Sequence, residues 1–482
     1  MTHRSIPLAV LFLYPCTLIF SQTGAPEVPR QASAPVPVPS GLSGAQGPFA
    51  GGVPTGQVTP GVLALTLSDA IGRGLKQNLG LFLTEQGTRS AQASRWLALS
   101  GLLPDITTKT SDTGQQIDLQ SLGFPGGIKG IPNVLGPFNV FDTRLYASQA
   151  LLNLSAMRNA RAGSENLRAA RLSAEDARDV VVLGVAGLYL QAVSGQAQIA
   201  AAQAQVNTAQ ALYQRAVDQK NAGVVPGIDV LRSQVELQAQ RQRLIFFKNQ
   251  FEKQKLSLAR AIGLPLGQPF TLADQVGYTP PPVVTLEAAL EQAYQNRADY
   301  RSASALVSAA ESSKRAAEAE RLPALQFDGN YGDIGKGPGD SHGTFLAAVT
   351  LNIPIFQAGR TRADILQSDS LLQQRRAQLE DLRSGVEQDV RTAFLDLKAS
   401  GDEVNVARSA VDLAAEQLKQ SEDRFAAGVT NNVEVVQSQE AVATADDNYI
   451  SALFTYNLAK ASLARALGGA EKTYLQFLGG GH

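Results

Sequence analysis

The sequence predicts a mainly α-helical protein with membrane β-strands, built as two duplicated halves. The duplication is visible first. Thr66-Leu67 through Leu103-Pro104 overlays Thr285-Leu286 through Leu322-Pro323 at one constant shift without a gap. Farther on, Ala222-Gly223-Val224 matches Ala427-Gly428-Val429, and Leu258-Ala259-Arg260-Ala261-Ile262-Gly263 matches Leu463-Ala464-Arg465-Ala466-Leu467-Gly468. A period of roughly two hundred residues is too long for a solenoid, so the copies are halves of one architecture. Two further observations, the very long helical runs and the alternating segments between them, set the class.

In the first copy Leu167, Ala170, Ala174, Ala177, Val181, Val185, Leu188, Ala192, Gly195, Ile199, Ala202, Val206, Ala209, Tyr213 and Ala216 recur at spacings of three and four. An extra four at Val181 to Val185 marks a stutter in a coiled-coil seam. The second copy repeats the seam with Leu382, Val386, Val390, Ala393, Leu397, Ser400, Val404, Ala407, Val411, Ala414 and Leu418, and the stutter recurs at Val386 to Val390. The stretch Ala156 to Ala222 has no proline. At about 1.5 Å per residue it would extend on the order of 100 Å. A two-stranded coiled coil favours larger Leu and Ile at the seam. The Ala, Gly and Ser found here instead let helices approach closely and pack side by side.

Between the helices, Leu325-Gln326-Phe327-Asp328-Gly329-Asn330-Tyr331 alternates apolar with polar, and Phe345, Ala347, Val349, Leu351 and Ile353 face opposite to Leu346, Ala348, Thr350 and Asn352. About ten residues of period two is the length of a strand crossing a bilayer. The first-copy counterparts, Asp105 to Asp112 and Phe138 to Leu151, alternate more weakly, and their loop, Thr113 to Pro137, is longer than Gly332 to Gly343. Beyond the N-terminal segment no apolar run is expected to serve as a transmembrane helix, so any membrane crossing falls to the strands.

Composition excludes several classes. The chain has 482 residues, 44% apolar, with 42 basic against 43 acidic side chains. That balance carries no nucleic-acid footprint. The apolar run Ile6 to Phe20 follows His3-Arg4 and precedes the small residues Ser21, Thr23 and Ala25, the pattern of a secretory signal. The only cysteine, Cys16, lies within that run, and Leu13-Tyr14-Pro15-Cys16 matches a lipidation box poorly, so the mature chain is expected to lack thiols. The expected organisation is a signal peptide at 1–25, a Pro/Gly-rich linker at 26–61 and a first repeat at 62–277, with strands at 105–112 and 138–151 and a helical hairpin at 156–263. A linker at 278–284 leads to a second repeat at 285–475, with strands at 324–332 and 344–354 and a hairpin at 360–468, before a tail at 476–482.

Four strands per chain cannot close a barrel, because lipid-exposed sheets keep no open edges. Known outer-membrane barrels need at least about eight strands, so several chains must share one. At this point the chain resembles the outer-membrane efflux protein family, the trimeric channel-tunnels of the TolC type, over residues 62–475. The residues that carry the resemblance are the Thr-Leu-x-x-Ala openings at Thr66 and Thr285, the Leu-Pro pairs ending in Pro104 and Pro323, and the junction Ile355-Phe356-Gln357-Ala358-Gly359. The Arg424-Phe425-x-x-Gly428-Val429 turn and the closing Leu-Ala-Arg-Ala-Leu-Gly complete the set. What it implies is a homotrimer with a shared twelve-stranded barrel in outer-membrane lipid and a helical tunnel in the periplasm. It also implies a periplasmic adaptor (membrane fusion) protein and an inner-membrane pump of the RND or ABC type. The cargo would be small molecules or exported proteins. No phosphate-binding loop, metal-ligand cluster or catalytic constellation is present, so neither cofactor nor enzyme activity is expected. The scattered His3, His342 and His482, with Met157 the only internal methionine, give no support to a metal pore.

Both glycine turns carry a carboxylate six residues on, Asp229 after Gly223 and Glu434 after Gly428. The resemblance places acidic rings after the second turn, which makes Glu434 a periplasmic gate candidate together with Asp229. Gln437 stands where the family often has a second acid. Like charges in a ring repel one another and attract cations. The alternative is that both acids stabilise a helix N-terminus. Gly223 and Gly428 suit a left-handed reversal, and Val224, Val225, Val429 and Thr430 are expected as exposed tips meeting the adaptor. Arg215, Lys220 and Arg424 are weaker candidates for ion pairs holding the tunnel closed. The competing function is a secreted structural or adhesive coiled-coil protein, against which the membrane-length alternation speaks.

Overall fold

The computed structural model describes residues 51–56, 58–121, 123, 130–274, 277–280, 284–430 and 432–478. The signal peptide with Cys16, most of the first linker, part of the second linker and the last residues of the tail lie outside them. The first repeat comprises β1 (Leu63–Leu65), α1 (Leu67–Gln77), α2 (Leu79–Ser100), β2 (Asp105–Asp118), β3 (Val134–Leu152), α3 (Leu154–Asn221), α4 (Gly227–Ala261) and β4 (Phe270–Leu272). The second comprises α5 (Leu286–Asn296), α6 (Ala298–Ala319), β5 (Ala324–Gly335), β6 (Ser341–Asn352), α7 (Arg360–Ala426), α8 (Asn432–Ala466) and α9 (Ala470–Leu478).

The two threonine openings are helix caps. Thr66 Oγ1 accepts from the Asp69 N–H at 3.1 Å while the Asp69 carboxylate accepts from the Thr66 N–H, a closed capping box. Thr285 Oγ1 accepts from the Ala288 N–H at 3.4 Å. Each opening leads into two successive helices, α1 with α2 and α5 with α6. At Asn78 and Arg297, matched positions of the two copies, the backbone turns extended and the helix breaks. Two chemistries hold the same kink. Asn78 Oδ1 accepts from the Leu81 N–H at 3.2 Å. Arg297 instead pairs with Asp299 at 2.7 Å and with Asp389 of α7 at 2.8 Å.

β2, β3, β5 and β6 form one antiparallel sheet in that order, leaving β2 and β6 as its edges. The hairpins run farther than the alternation reaches, to Asp118 and back from Val134, and to Gly335 and back from Ser341. Backbone pairing needs no apolar face, so the ladders continue past the alternating residues and the loops expected at 113–137 and 332–343 are shorter. β6 stops at Asn352, two residues before the expected end, because Pro354 has no N–H for a ladder.

The helices follow the strand order next to the sheet, α2, α3, α6, α7, and continue beyond it as α4, α3, α8, α7. The seams are where spacing put them: Val181, Val185, Ala192, Ala209 and Ala216 of α3 and Val386, Val390, Ala393 and Val404 of α7 are buried. One part of α3 is apolar enough by composition to cross a membrane, contrary to the sequence expectation; half of it is packed inside the protein. Its Val181, Val185 and Tyr189 join Leu258, Ile262 and Leu463 in the main core.

Two expected boundaries are corrected. Residues of the supposed linker before 62 are bound to the first repeat, with Gly52 N–H donating to Arg260 O at 2.6 Å and Val53 N–H to Gln77 O at 2.8 Å. The tail expected from 476 is still helix, its Phe477 and Leu478 buried in the main core. The strands β1 and β4, which pair in parallel, are three residues each and too short to signal in sequence.

The second linker is clamped to α8 by Lys460, which is 1% exposed. Its Nζ donates to Thr279 Oγ1 at 2.6 Å, and Tyr456, whose hydroxyl donates to Thr279 O at 2.8 Å, stacks on Tyr278. Burial pushes the Lys460 amine down to about 8. The native state therefore loses this proton before the unfolded chain does, and between pH 8 and the ordinary lysine value of about 10.4 the unfolded state binds more protons. Stability is expected to rise with pH across that window, by at most about 1.4 kcal/mol per pH unit per chain. Below pH 8 the cost of the buried charge is present in full. Thermal denaturation from pH 7.5 to 10.5 checks this, since Lys460→Met should flatten the slope.

Candidate functional site

The two helical hairpins reverse by the same device. Gly223 and Gly428 have φ of 73° and 71°. The Val224 N–H donates to Gln219 O at 2.9 Å and the Val429 N–H to Arg424 O at 3.0 Å, while each glycine N–H bonds three residues back. These are Schellman closures, in which the left-handed residue satisfies the last helix carbonyls. A Cβ on either glycine would meet nothing within 4 Å, so conformation alone demands glycine there.

Sequence reasoning expects four apolar tip residues, and the structure separates them. Val224 and Val429 are exposed. Val225 turns inward against a cluster of Leu212, Phe425 and Val435. Thr430 donates its hydroxyl to Glu434 Oε2. The exposed tip candidates therefore reduce to Val224 and Val429 with the two glycines: Val225 packs where the hairpins meet, and Thr430 is tied back to its own helix.

The two carboxylates differ as well. Both stand in the first turn of their helices, where an anion is favoured by the helix dipole. Asp229 is buried and accepts from Arg232 Nη1 at 3.2 Å. Glu434 is half-buried, with Arg424 Nη1 at 3.5 Å from Oε1, so the turn is strapped across its own base. Of Arg215, Lys220 and Arg424, only Arg424 forms an ion pair among the described residues. Gln437 is exposed on α8. Asn432 was missed by the sequence reading. Its Nδ2 donates to Asp229 O at 3.0 Å and to Ser233 Oγ at 2.6 Å, tying the second hairpin to the first. The signal was available as an asymmetry, since the matched position in the first repeat is Gly227. Higher in the bundle, Gln205 reaches Asp446 at 3.2 Å and Arg243 pairs with Asp447.

At the other end, the sheet register sorts side chains onto two faces. Leu325 with Leu351, Phe327 with Val349 and Tyr331 with Phe345 stand opposite one another on one face. Asp142, Arg144 and Asn330 occupy the other, where Arg144 bonds Asp142 at 2.7 Å and Asn330 at 3.1 Å. One apolar and one hydrogen-bonded polar face is the arrangement of a barrel wall between lipid and water.

A two-faced sheet joined to paired helical hairpins is the fold of outer-membrane channel-tunnels. The chain belongs to the outer membrane efflux protein family, whose model matches residues 71–264 and 289–469. It is 23% identical over 422 residues to the pyoverdine export outer membrane protein OpmQ of Pseudomonas aeruginosa, covering 86% of this chain and 87% of that protein. It is 23% identical over 420 residues to the toluene efflux pump outer membrane protein TtgF of Pseudomonas putida, covering 84% of this chain and 83% of that one. Among solved structures, the Campylobacter jejuni CmeC outer membrane channel superposes with a TM-score of 0.72 at 16% identity, covering 84% of this chain and 86% of that chain. CusC gives 0.72 at 17% identity, covering 87% and 100%. The protein is thus an exit duct of the outer membrane, and the secreted adhesive rod is set aside.

Because the tip glycines are required for conformation alone, Gly428→Ala should cost about 1–2 kcal/mol. Gly428→Asn should recover part of that, since Asn tolerates the left-handed region. Equilibrium denaturation of the three proteins measures both.

Proposed function

We propose that three copies assemble into one duct, each giving four strands to a twelve-stranded barrel and its hairpins to a periplasmic tunnel. The observation that carries this reading is where the exposed apolar side chains lie. The open edges of one chain are β2 and β6 in the sheet, α2 and α7 beside it, and α4 and α7 toward the tips. Those helices bear Phe82, Leu83, Trp96 and Leu97 on α2, Leu231, Val235, Ile245 and Phe246 on α4, and Leu366, Leu395, Val406 and Leu413 on α7, all exposed. Apolar stripes on both edges suit closure by further copies of the same chain.

In the assembled duct the tips face the periplasm. Val224 and Val429, beside Gly223 and Gly428, meet a periplasmic adaptor, and an inner-membrane pump of the RND or ABC type supplies the energy. Relatives described as efflux-pump outer membrane proteins support such a partnership. The cargo is small molecules or proteins delivered by that pump. Three copies of Glu434, reinforced by Asp229, set a negative constriction at the periplasmic end, with Gln437 as a neutral neighbour one turn farther. Arg424 and Thr430 hold each Glu434 against its own hairpin in the resting duct.

Negative-stain electron microscopy and native mass of the detergent-purified protein are expected to give three-fold hollow particles of three chains; a two-fold or solid particle overturns the assembly. In planar bilayers, Glu434→Gln combined with Asp229→Asn is expected to lower cation preference, with a reversal-potential shift under a salt gradient. Unchanged selectivity in a folded trimer would remove the charged constriction.

A further inference from the structure

We infer that Ile355 and Phe356, at the foot of β6, seat against Trp96, Leu97 and Leu103, at the foot of β2, in the adjacent copy, forming an apolar lock where barrel and tunnel join. The inference rests on the shared barrel proposed above.

Ile355 and Phe356 are the most exposed large apolar side chains among the described residues, at 94% and 87%. They lie between β6 and α7, ahead of a turn in which Ala358 and Gly359 are both left-handed, with φ of 48° and 85°. A side chain on a left-handed residue is strained. The turn fixes how the segment leaves the helix, and within the chain it leaves both side chains uncovered.

The complementary patch lies on the opposite edge. Arg95 and Ala98 of α2 face α3, where Arg95 Nε donates to Ser164 Oγ at 3.1 Å and Ala98 lies against Gly163. Helical geometry turns Trp96 and Leu97 away from that contact. Trp96 is 59% exposed, and Leu97 and Leu103 are exposed beside it.

Both patches sit at the helix end of the sheet, since Asn352 closes β6 and Asp105 opens β2. In lipid neither edge strand can keep unpaired backbone groups. Pairing β6 of one copy with β2 of the next brings the two patches side by side. Charge agrees as well: Arg360, 81% exposed and held only at 3.8 Å by Asp364, lies four residues beyond Phe356, and exposed Asp105 lies two beyond Leu103.

The test uses the fact that Trp96 is the only tryptophan and Cys16 the only cysteine. In the full-length protein carrying Cys16→Ser, Ile355→Cys is paired with Leu103→Cys or with Leu97→Cys and treated with a short bismaleimide. Covalent three-chain species are expected from the double variants and not from the single ones. In the assembled protein, Trp96 emission is expected to be blue-shifted and protected from acrylamide, and Phe356→Ala should make it red-shift and quench. Three-chain particles that fail to cross-link, with Trp96 open to acrylamide, overturn the contact and leave the trimer standing. Quenching of Trp96 by brominated lipid, without cross-links, assigns the patch to the bilayer and also overturns it. A monomeric particle overturns the trimer and the contact together.

Discussion

A backbone amide inside a bilayer has no water to bond, and this requirement governs the chain from its strands to its helix edges. Two hairpins satisfy each other through β3 and β5 and leave β2 and β6 unfinished. Next to the sheet, α2, α3, α6 and α7 inherit the same arrangement because each leads into or out of one of its strands. α2 and α7 therefore end up at the margins, and the large apolar side chains are left on those margins while the interior seam is lined with alanine. The separation has an energetic reason. Alanine contributes little area per residue but allows close approach, whereas Trp, Phe and Leu at a margin bury roughly 1.5–3 kcal/mol each once covered.

The second tier of organisation is electrostatic. Ion pairs concentrate where the two repeats and the C-terminal helix converge. Arg465 meets Asp176, and Arg178 meets Glu471. Asp179 accepts from the Gly469 and Glu471 N–H groups at 3.0 and 2.9 Å, holding the start of α9. The final helix is thereby fastened to α3 of the first repeat, which closes the duplicated chain on itself. Burial raises the Asp176 carboxyl, and the Arg465 guanidinium works against that shift.

Much of this was legible in the sequence, for reasons that follow from periodicity. A seam read from Leu167 to Ala216 depends on a 3.6-residue repeat, and its buried members came out as spaced. The second-repeat strands depend on alternation, which is strong between Leu325 and Tyr331. The illegible parts lack period. Asn78 and Arg297 break helices through a single extended residue, and no composition rule marks both. The strand extensions to Asp118 and Gly335 are fixed by a partner strand rather than by their own residues. At the candidate gate, spacing from the glycines found Asp229 and Glu434, but it could not tell that one is buried and the other half-buried. Nor could it find the Asn432 contacts beside Asp229, which join segments 199 and 203 residues apart.

The Asn432 bridge is made of a neutral amide, a hydroxyl and a backbone carbonyl, whereas the strap inside the second hairpin is an ion pair. Mobile ions screen a pair that reaches solvent, such as Arg424 with the half-buried Glu434, yet leave a buried amide contact nearly untouched. A change of ionic strength therefore acts unevenly on the two contacts. Rising salt weakens the Arg424–Glu434 pair, while the uncharged backbone closure at Gly428 and the Asn432 contacts keep the turn and the two hairpins in place.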